Sequence, residues 1–180
     1  MTDVRAELLQ QIKDKAVVHG KVTLSSGLEG DYYVDLRRIT LDGAAAPLVG
    51  QVMLDLVADL EFDAIGGLTM GADPVATAML HAAAARGQRL DAFVVRKQGK
   101  AHGLQRQIEG PDVAGRRVLA VEDTSTTGGS ALTAVEALRA AGAEVVAVAV
   151  IVDRDTGAAE KVRAAGLDYL FAYGKDELGL

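Results

Sequence analysis

From residue 44 onward the chain alternates short, nearly unbroken apolar runs with longer segments whose apolar residues recur at helical spacing, joined by brief glycine-bearing connections. The apolar runs predict strands at 64–68, 92–97, 117–122, 145–152 and 169–173, and the helical spacing predicts helices at 47–60, 74–86, 129–141 and 158–165. A strand that is apolar on both sides must be covered on both sides, as parallel strands are when crossover helices pack on either face. The pattern therefore predicts an α/β fold, a doubly wound and mainly parallel sheet. Such sheets bind ligands beyond the carboxyl ends of their strands, so the residues that follow each apolar run are where chemistry is to be sought.

The N-terminal stretch is different. Residues 3–16 set Val4, Leu8 and Ile12 among charges, predicting an amphipathic helix, and 21–26 and 31–39 read as extended segments about the turn Ser26-Gly27-Leu28-Glu29-Gly30. This pair predicts a small N-terminal subdomain, about 1–40, inside a single domain spanning 1–180. A chain of that length buries roughly 70% of its unfolded surface, so it needs no metal or disulfide staple. Cysteine is absent, which excludes thiolate zinc sites and thiol catalysis and leaves the chemistry to oxygen and nitrogen groups. The net charge of −6 argues against work on a nucleic-acid backbone. The opening MTDVRAELLQQIKDK has no apolar core of a signal peptide, and no run approaches the ~18 apolar residues of a membrane span. The expectation is a cytoplasmic protein with neither nucleic acid nor membrane as partner.

The run VLAVEDTSTTGGSA, Val118 to Ala131, joins a buried strand to two adjacent carboxylates, Glu122 and Asp123, and then to hydroxyls and glycines. Thr126-Thr127-Gly128-Gly129-Ser130 precedes the helical ALTAVEALRAA, so main-chain N–H groups, the helix dipole and hydroxyl donors converge on one point, which suits a phosphate. Neither GxxxxGK[ST] nor GxGxxG matches. Carboxylates beside a phosphate repel it unless they address something else. Sugar hydroxyls and a magnesium ion, held directly or through water, are the two candidates, and a sugar phosphate brings both.

VEDTSTTGGSA resembles the phosphoribosyl-pyrophosphate signature of the type I phosphoribosyltransferases. The resemblance implies that Glu122 and Asp123 hold the ribose hydroxyls, Asp123 among the catalytic residues, and that Thr124, Ser125, Thr126, Thr127, Gly128, Gly129 and Ser130 form the phosphate site. It also implies Mg2+ as cofactor, carried mainly by the phosphoribosyl pyrophosphate and reached through water by Glu122 and Asp123.

Val94 to Gly110, VVRKQGKAHGLQRQIEG, puts Arg96, Lys97, Lys100, His102 and Arg106 within eleven residues with no acid among them. Charge alone fits a solvated surface loop. Beside a phosphate site it fits a lid whose cations meet a departing pyrophosphate, with His102 as a proton donor. The pattern R-K-x-x-K-x-H-G is similar to the catalytic loop of the orotate phosphoribosyltransferases. That likeness assigns Arg96, Lys97, Lys100 and His102 to pyrophosphate contact, with Lys100 and His102 catalytic, and implies a homodimer in which this loop reaches the neighbouring subunit's site.

Thr23 to Arg38, TLSSGLEGDYYVDLRR, resembles the N-terminal hood of the same family. Tyr32 and Tyr33 can then cover a flat heterocycle. VIVDRDTG ends a buried strand in Asp153-Arg154, and the resemblance places Arg154 on orotate, with Thr126 at the same base. The chain departs from many relatives where Ser25 stands for a lysine, and in the turn Leu68-Thr69-Met70-Gly71-Ala72-Asp73, where some carry a tyrosine-lysine pair. The implied activity is transfer of a phosphoribosyl group from phosphoribosyl pyrophosphate to orotate. A relative acting on another base and a regulator that keeps the site only as a sensor are the alternatives; a fusion with the next enzyme of the pathway does not fit in 180 residues.

Overall fold

A computed structural model describes residues 3–23, 27–99 and 106–180. In chain order the elements are α1 (Val4–Lys15), β1 (Val17–Thr23), β2 (Glu29–Val34), α2 (Arg37–Thr40), α3 (Ala45–Leu56), β3 (Ala64–Leu68), α4 (Ala72–Ala85), β4 (Asp91–Val95), β5 (Ile108–Glu109), β6 (Arg117–Ser125), α5 (Gly129–Ala140), β7 (Glu144–Asp153), α6 (Ala158–Ala164) and β8 (Asp168–Gly174), closed by a 3-10 turn at Lys175–Leu178. The main sheet runs β5-β4-β3-β6-β7-β8. Its strands are parallel except β5, which pairs antiparallel with the end of β4.

Each central strand divides its side chains between two cores. On β6, Leu119 and Val121 join Ile65, Met79, Val49 and Met53 beneath α1, α3 and α4. Val118 and Ala120 join Val135, Leu138 and Val162 beneath α5 and α6. Helices on both faces make the sheet doubly wound, as its apolar runs require. The first helix begins where the Asp3 carboxylate accepts a hydrogen bond from the Arg5 N–H at 3.0 Å, and it buries Leu8 and Ile12 at the i, i+4 spacing.

Three close approaches depend on glycine. A Cβ on Gly66 would lie 2.2 Å from the Phe93 carbonyl oxygen, and one on Gly67 2.2 Å from that of Val121, so β3 takes its place between β4 and β6 only without side chains there. Gly50 does the same between helices: its Cβ would sit 2.3 Å from the Ala78 carbonyl oxygen and 2.9 Å from the Ala82 Cβ. Gly50→Ala gains about 1 kcal/mol of helix propensity, but the obstruction is backbone and α3 must move away from α4, an overpacking cost of about 1 to 3 kcal/mol. A lowered thermal midpoint is expected; a raised one would show that the two helices separate freely.

The N-terminal segments differ from expectation. The first strand starts at Val17 and pairs antiparallel with β2, Val17 opposite Val34, with an irregularity between His19 and Val22. The second ends at Val34, because Asp35 turns the chain: its carboxylate accepts from the Arg37 N–H at 3.2 Å, and Leu36, Ile39 and Thr40 are buried on a helical turn rather than an extended one. The connection expected to be irregular from 98 to 115 contains β5, too short to leave a periodic signal. The strand expected at 117–122 continues to Ser125, which carries the acids into the sheet's end.

Candidate active site

Strands β3 and β6 are neighbours whose chains leave in opposite directions across the sheet, to β4 on one side and β7 on the other. At their carboxyl ends lies a cleft of about 320 Å³, lined by Asp35, Arg37, Thr69, Met70, Gly71, Lys97, Glu122, Asp123, Thr124 and Ser130 among others.

Both acids of the central motif converge beside Gly71. A Cβ there would stand 2.9 Å from Asp123 Oδ1 and 3.0 Å from Glu122 Oε2, so the glycine keeps open the space the carboxylates face. Glu122 is 6% exposed, and its Oε1 has no hydrogen-bond partner. Thr124 Oγ1 and Asp73 Oδ1 are likewise buried without partners, while Asp73 Oδ2 accepts from the Thr69 hydroxyl at 2.6 Å. Buried acceptors left open are costly unless a ligand supplies donors. Hydroxyl groups are donors of the right kind for a carboxylate oxygen.

Burial, then the adjacent Asp123 and Asp73 charges, push the Glu122 carboxyl up from 4.5 to about 8. Asp123 is also raised, chiefly by burial, against the hydrogen bond its Oδ1 accepts from the Thr124 N–H at 2.7 Å and the attraction of Arg37. Because folded Glu122 binds its proton more tightly than the unfolded chain does, its contribution to stability is whole below pH 4.5 and falls away as pH rises through about 8. Thermal unfolding of the ligand-free protein is expected to show less of this decline in Glu122→Gln than in the wild type. Equal pH slopes in the two proteins would contradict it.

The loop after β6 leads into α5. Gly128 adopts φ 81°, a left-handed conformation that other residues avoid, and a Cβ on it would meet Ala158 Cα at 3.3 Å. Thr126, Thr127, Gly129 and Ser130 are exposed at the start of this 12-residue helix, whose first N–H groups have no partners within it. Amides, hydroxyls and the helix dipole thus gather at the start of α5, whose Ser130 lines the cleft, a place for an anion.

Residues 41–165 match the family model for the phosphoribosyl transferase domain, a span that holds β3 through α6 and the cleft residues from Leu68 to Ser130. Orotate phosphoribosyltransferase of Streptomyces coelicolor is 83% identical over 181 residues, covering all of both chains. The chain belongs to the orotate phosphoribosyltransferase family. Two crystal structures of the Mycobacterium tuberculosis H37Rv orotate phosphoribosyltransferase superpose closely on it. The complex with Fe(III) dicitrate has a TM-score of 0.91 at 59% identity, and the complex with 5-phospho-alpha-D-ribosyl 1-diphosphate 0.87 at 54%; each comparison covers 99% of this chain and 100% of the other.

The remaining residues singled out for an orotate phosphoribosyltransferase are distributed unevenly. Lys97 lines the cleft with Glu122, Asp123, Thr124 and Ser130. Arg96 does not: its guanidinium faces Glu109 at 3.5 Å, and its N–H donates to the Gln107 carbonyl at 2.7 Å, at the base of the loop. The Ser125 side chain is not a donor into the phosphate site, because it is buried and bonded to Asp153 and Tyr169. Tyr32 and Tyr33 are successive residues of a strand and point to opposite sides. Tyr32 packs on the core, and Tyr33 lies in electrostatic reach of Arg37, so the pair cannot jointly cover a base. Arg154 stands at the end of β7, half-buried, its N–H donating to the Ser125 carbonyl at 3.3 Å, beside the phosphate loop and outside the cleft lining. Lys100 and His102 lie outside the described residues, as does Ser25.

Arg37 and the turn after β3, a turn noted in the sequence only for lacking a tyrosine-lysine pair, were given no role of their own there. Arg37, held by a 2.8 Å bond from Nε to Asp35 Oδ1, places a cation near Asp123. The turn after β3 supplies Thr69, Met70 and Gly71, with Asp73 behind them. The sequence signal available was positional: both segments follow strands directly, where ligands bind. Among the described residues no group of three or more His, Asp or Glu side chains is arranged to hold a metal ion.

Proposed function

We propose that this chain transfers the 5-phosphoribosyl group of phosphoribosyl pyrophosphate to orotate, giving orotidine 5'-monophosphate and pyrophosphate, a step in making pyrimidine nucleotides. The observation that carries this reading is the pair of carboxylates beside Gly71, one with an open buried oxygen, in a cleft also lined by Ser130 at the start of α5. A ribose 5-phosphate unit has hydroxyls and a terminal anion at the two ends such a cleft demands. Family membership and the relatives' names give the base.

In the reaction the bond from ribose C1 to the pyrophosphate oxygen breaks, its electron pair leaving with pyrophosphate, and a ring nitrogen of orotate forms the new bond to C1 and gives up its proton. No protein nucleophile is needed. Glu122 and Asp123 hold the ribose hydroxyls, and Thr126, Thr127, Gly128, Gly129 and Ser130 hold the 5-phosphate. Lys97 and Arg37 on the cleft wall, with Lys100 and His102, oppose the charge that grows on the leaving group, Lys100 and His102 as its catalytic contacts. Tyr33, Thr126 and Arg154 face the base and its carboxylate. The open oxygen of Glu122 and the carboxylate of Asp123 are hard oxygen donors that would hold a magnesium ion, which when bound would supply positive charge against the leaving group.

The partner we infer is a second copy of the chain. An apolar groove between α3 and α4, lined by Pro47, Ala78 and Ala82 and flanked by the exposed Leu41 and Met70, shares Thr69 and Met70 with the cleft. A copy seated there lies beside the first copy's site, as a shared loop requires. No helix of the described residues is long and apolar enough to cross a membrane, and we place the reaction in the cytoplasm. The direct test offers purified protein, magnesium and phosphoribosyl pyrophosphate a panel of pyrimidines and purines. Orotate consumption with equal pyrophosphate release is expected; preference for another base, or none consumed, overturns the reading.

A further inference from the structure

A buried polar cluster lies under the site and has no part in the transfer chemistry. Ser125 is the last residue of β6 and Asp153 the last of β7, and they are register partners. Asp153 Oδ1 accepts from Ser125 Oγ at 3.1 Å and from the Tyr169 hydroxyl at 2.9 Å, and the two hydroxyls also touch each other. Tyr169 comes from the outer strand β8. Ser125, Asp153 and Tyr169 are 5%, 8% and 8% exposed. A phenylalanine would fill the Tyr169 site as well; only the carboxylate of Asp153 and the Ser125 hydroxyl give the Tyr169 oxygen a reason to be there.

The cluster matters because a functional loop leaves from each of its two strand ends. Residue 126, next after Ser125, begins the phosphate loop, and residue 154, next after Asp153, is the arginine placed on the base. The two loops are also stitched together on the outer side of the cluster. The Arg154 N–H donates to the Ser125 carbonyl at 3.3 Å, the Thr156 hydroxyl donates to the Thr126 carbonyl, and Gly128 packs on Ala158. Asp155, between them, is held at φ 55°. A shift in one loop therefore cannot leave the other where it was.

We propose that Tyr169, acting through Ser125 and Asp153, is a positioning residue that couples the phosphate loop to Arg154, so that filling the phosphate end raises affinity for the base. The proposal rests on the phosphoribosyl-transfer reading of the cleft. Coupling of this kind is reciprocal and commonly amounts to about 5- to 150-fold. Orotate binding is measured by calorimetry on the wild type and on Tyr169→Phe, with and without saturating ribose 5-phosphate as the probe of the phosphate end. The wild type is expected to bind orotate roughly tenfold tighter when the probe is present. Tyr169→Phe is expected to match the wild type without the probe and to lose the gain, with the KM for orotate raised more than kcat is lowered. Ser125→Ala, which removes the middle hydroxyl, is expected to lose the gain as well.

Retention of the full gain in both variants overturns the coupling and leaves the functional reading standing. So does an affinity that falls equally with and without the probe, which is the mark of a merely structural role. A wild type that binds ribose 5-phosphate but not orotate overturns the functional reading, and this proposal falls with it.

Discussion

Mixing Lys100→Ala protein with Asp123→Ala protein, each nearly inactive alone, is expected to restore about a quarter of the wild-type rate if a homodimer shares the loop between subunits. Random exchange makes half the dimers hybrids. In a hybrid, the intact cleft belongs to the subunit with the altered loop, and the intact loop belongs to the other. A loop that crosses to its neighbour therefore completes one site per hybrid. A loop that serves its own cleft completes none, so no recovery on mixing removes the shared-site arrangement. Loss of a single well-placed charged donor is worth about 100- to 1,000-fold in turnover. The separate Lys100→Ala and His102→Ala proteins are expected to lose turnover more than substrate affinity, and unchanged turnover in both would dismiss the basic loop from catalysis.

Gly71→Ala is expected to lower kcat/KM for phosphoribosyl pyrophosphate by about a hundredfold, equivalent to about 2.7 kcal/mol, while the protein stays folded. The new Cβ would lie against Asp123 Oδ1 and Glu122 Oε2. These atoms are the ends of side chains and can swing aside, unlike the backbone oxygen that a Cβ on Gly50 meets. If the two carboxylates hold the ribose hydroxyls as proposed, swinging aside spoils that geometry, and a small misplacement of a positioning group is expensive in rate. Steady-state kinetics with the sugar donor varied, together with a thermal melt, distinguish the two effects. A normal kcat/KM would mean that the carboxylates do not need the space Gly71 leaves.

The sheet and the central motif were legible because their signals are local. An apolar run covered on both faces, a pair of acids at its end and a glycine loop before a helix occupy consecutive positions, and β6 with α5 delivers them together. The residues that were misjudged are those decided by partners far away in the chain. Nothing near Ser125 announces that Asp153 and Tyr169 will claim its hydroxyl, and nothing near Arg96 announces Glu109 on a strand of two residues. Tyr32 and Tyr33 read as a pair from composition, yet the strand that carries them must send them to opposite faces. Arg37 was overlooked because the chain around it was read as extended, whereas the Asp35 bond to its N–H turns the chain and aims its side chain at the cleft.

The pairing at the base of the basic loop fixes where that segment departs and returns: the Arg96 N–H donates to the Gln107 carbonyl at 2.7 Å, and the Gln107 side-chain amide donates to the Arg96 carbonyl at 3.1 Å. A segment fastened at both ends surrenders less conformational freedom on ordering than a free arm of equal length. If its cations meet the leaving group as proposed, more of that attraction is kept as grip.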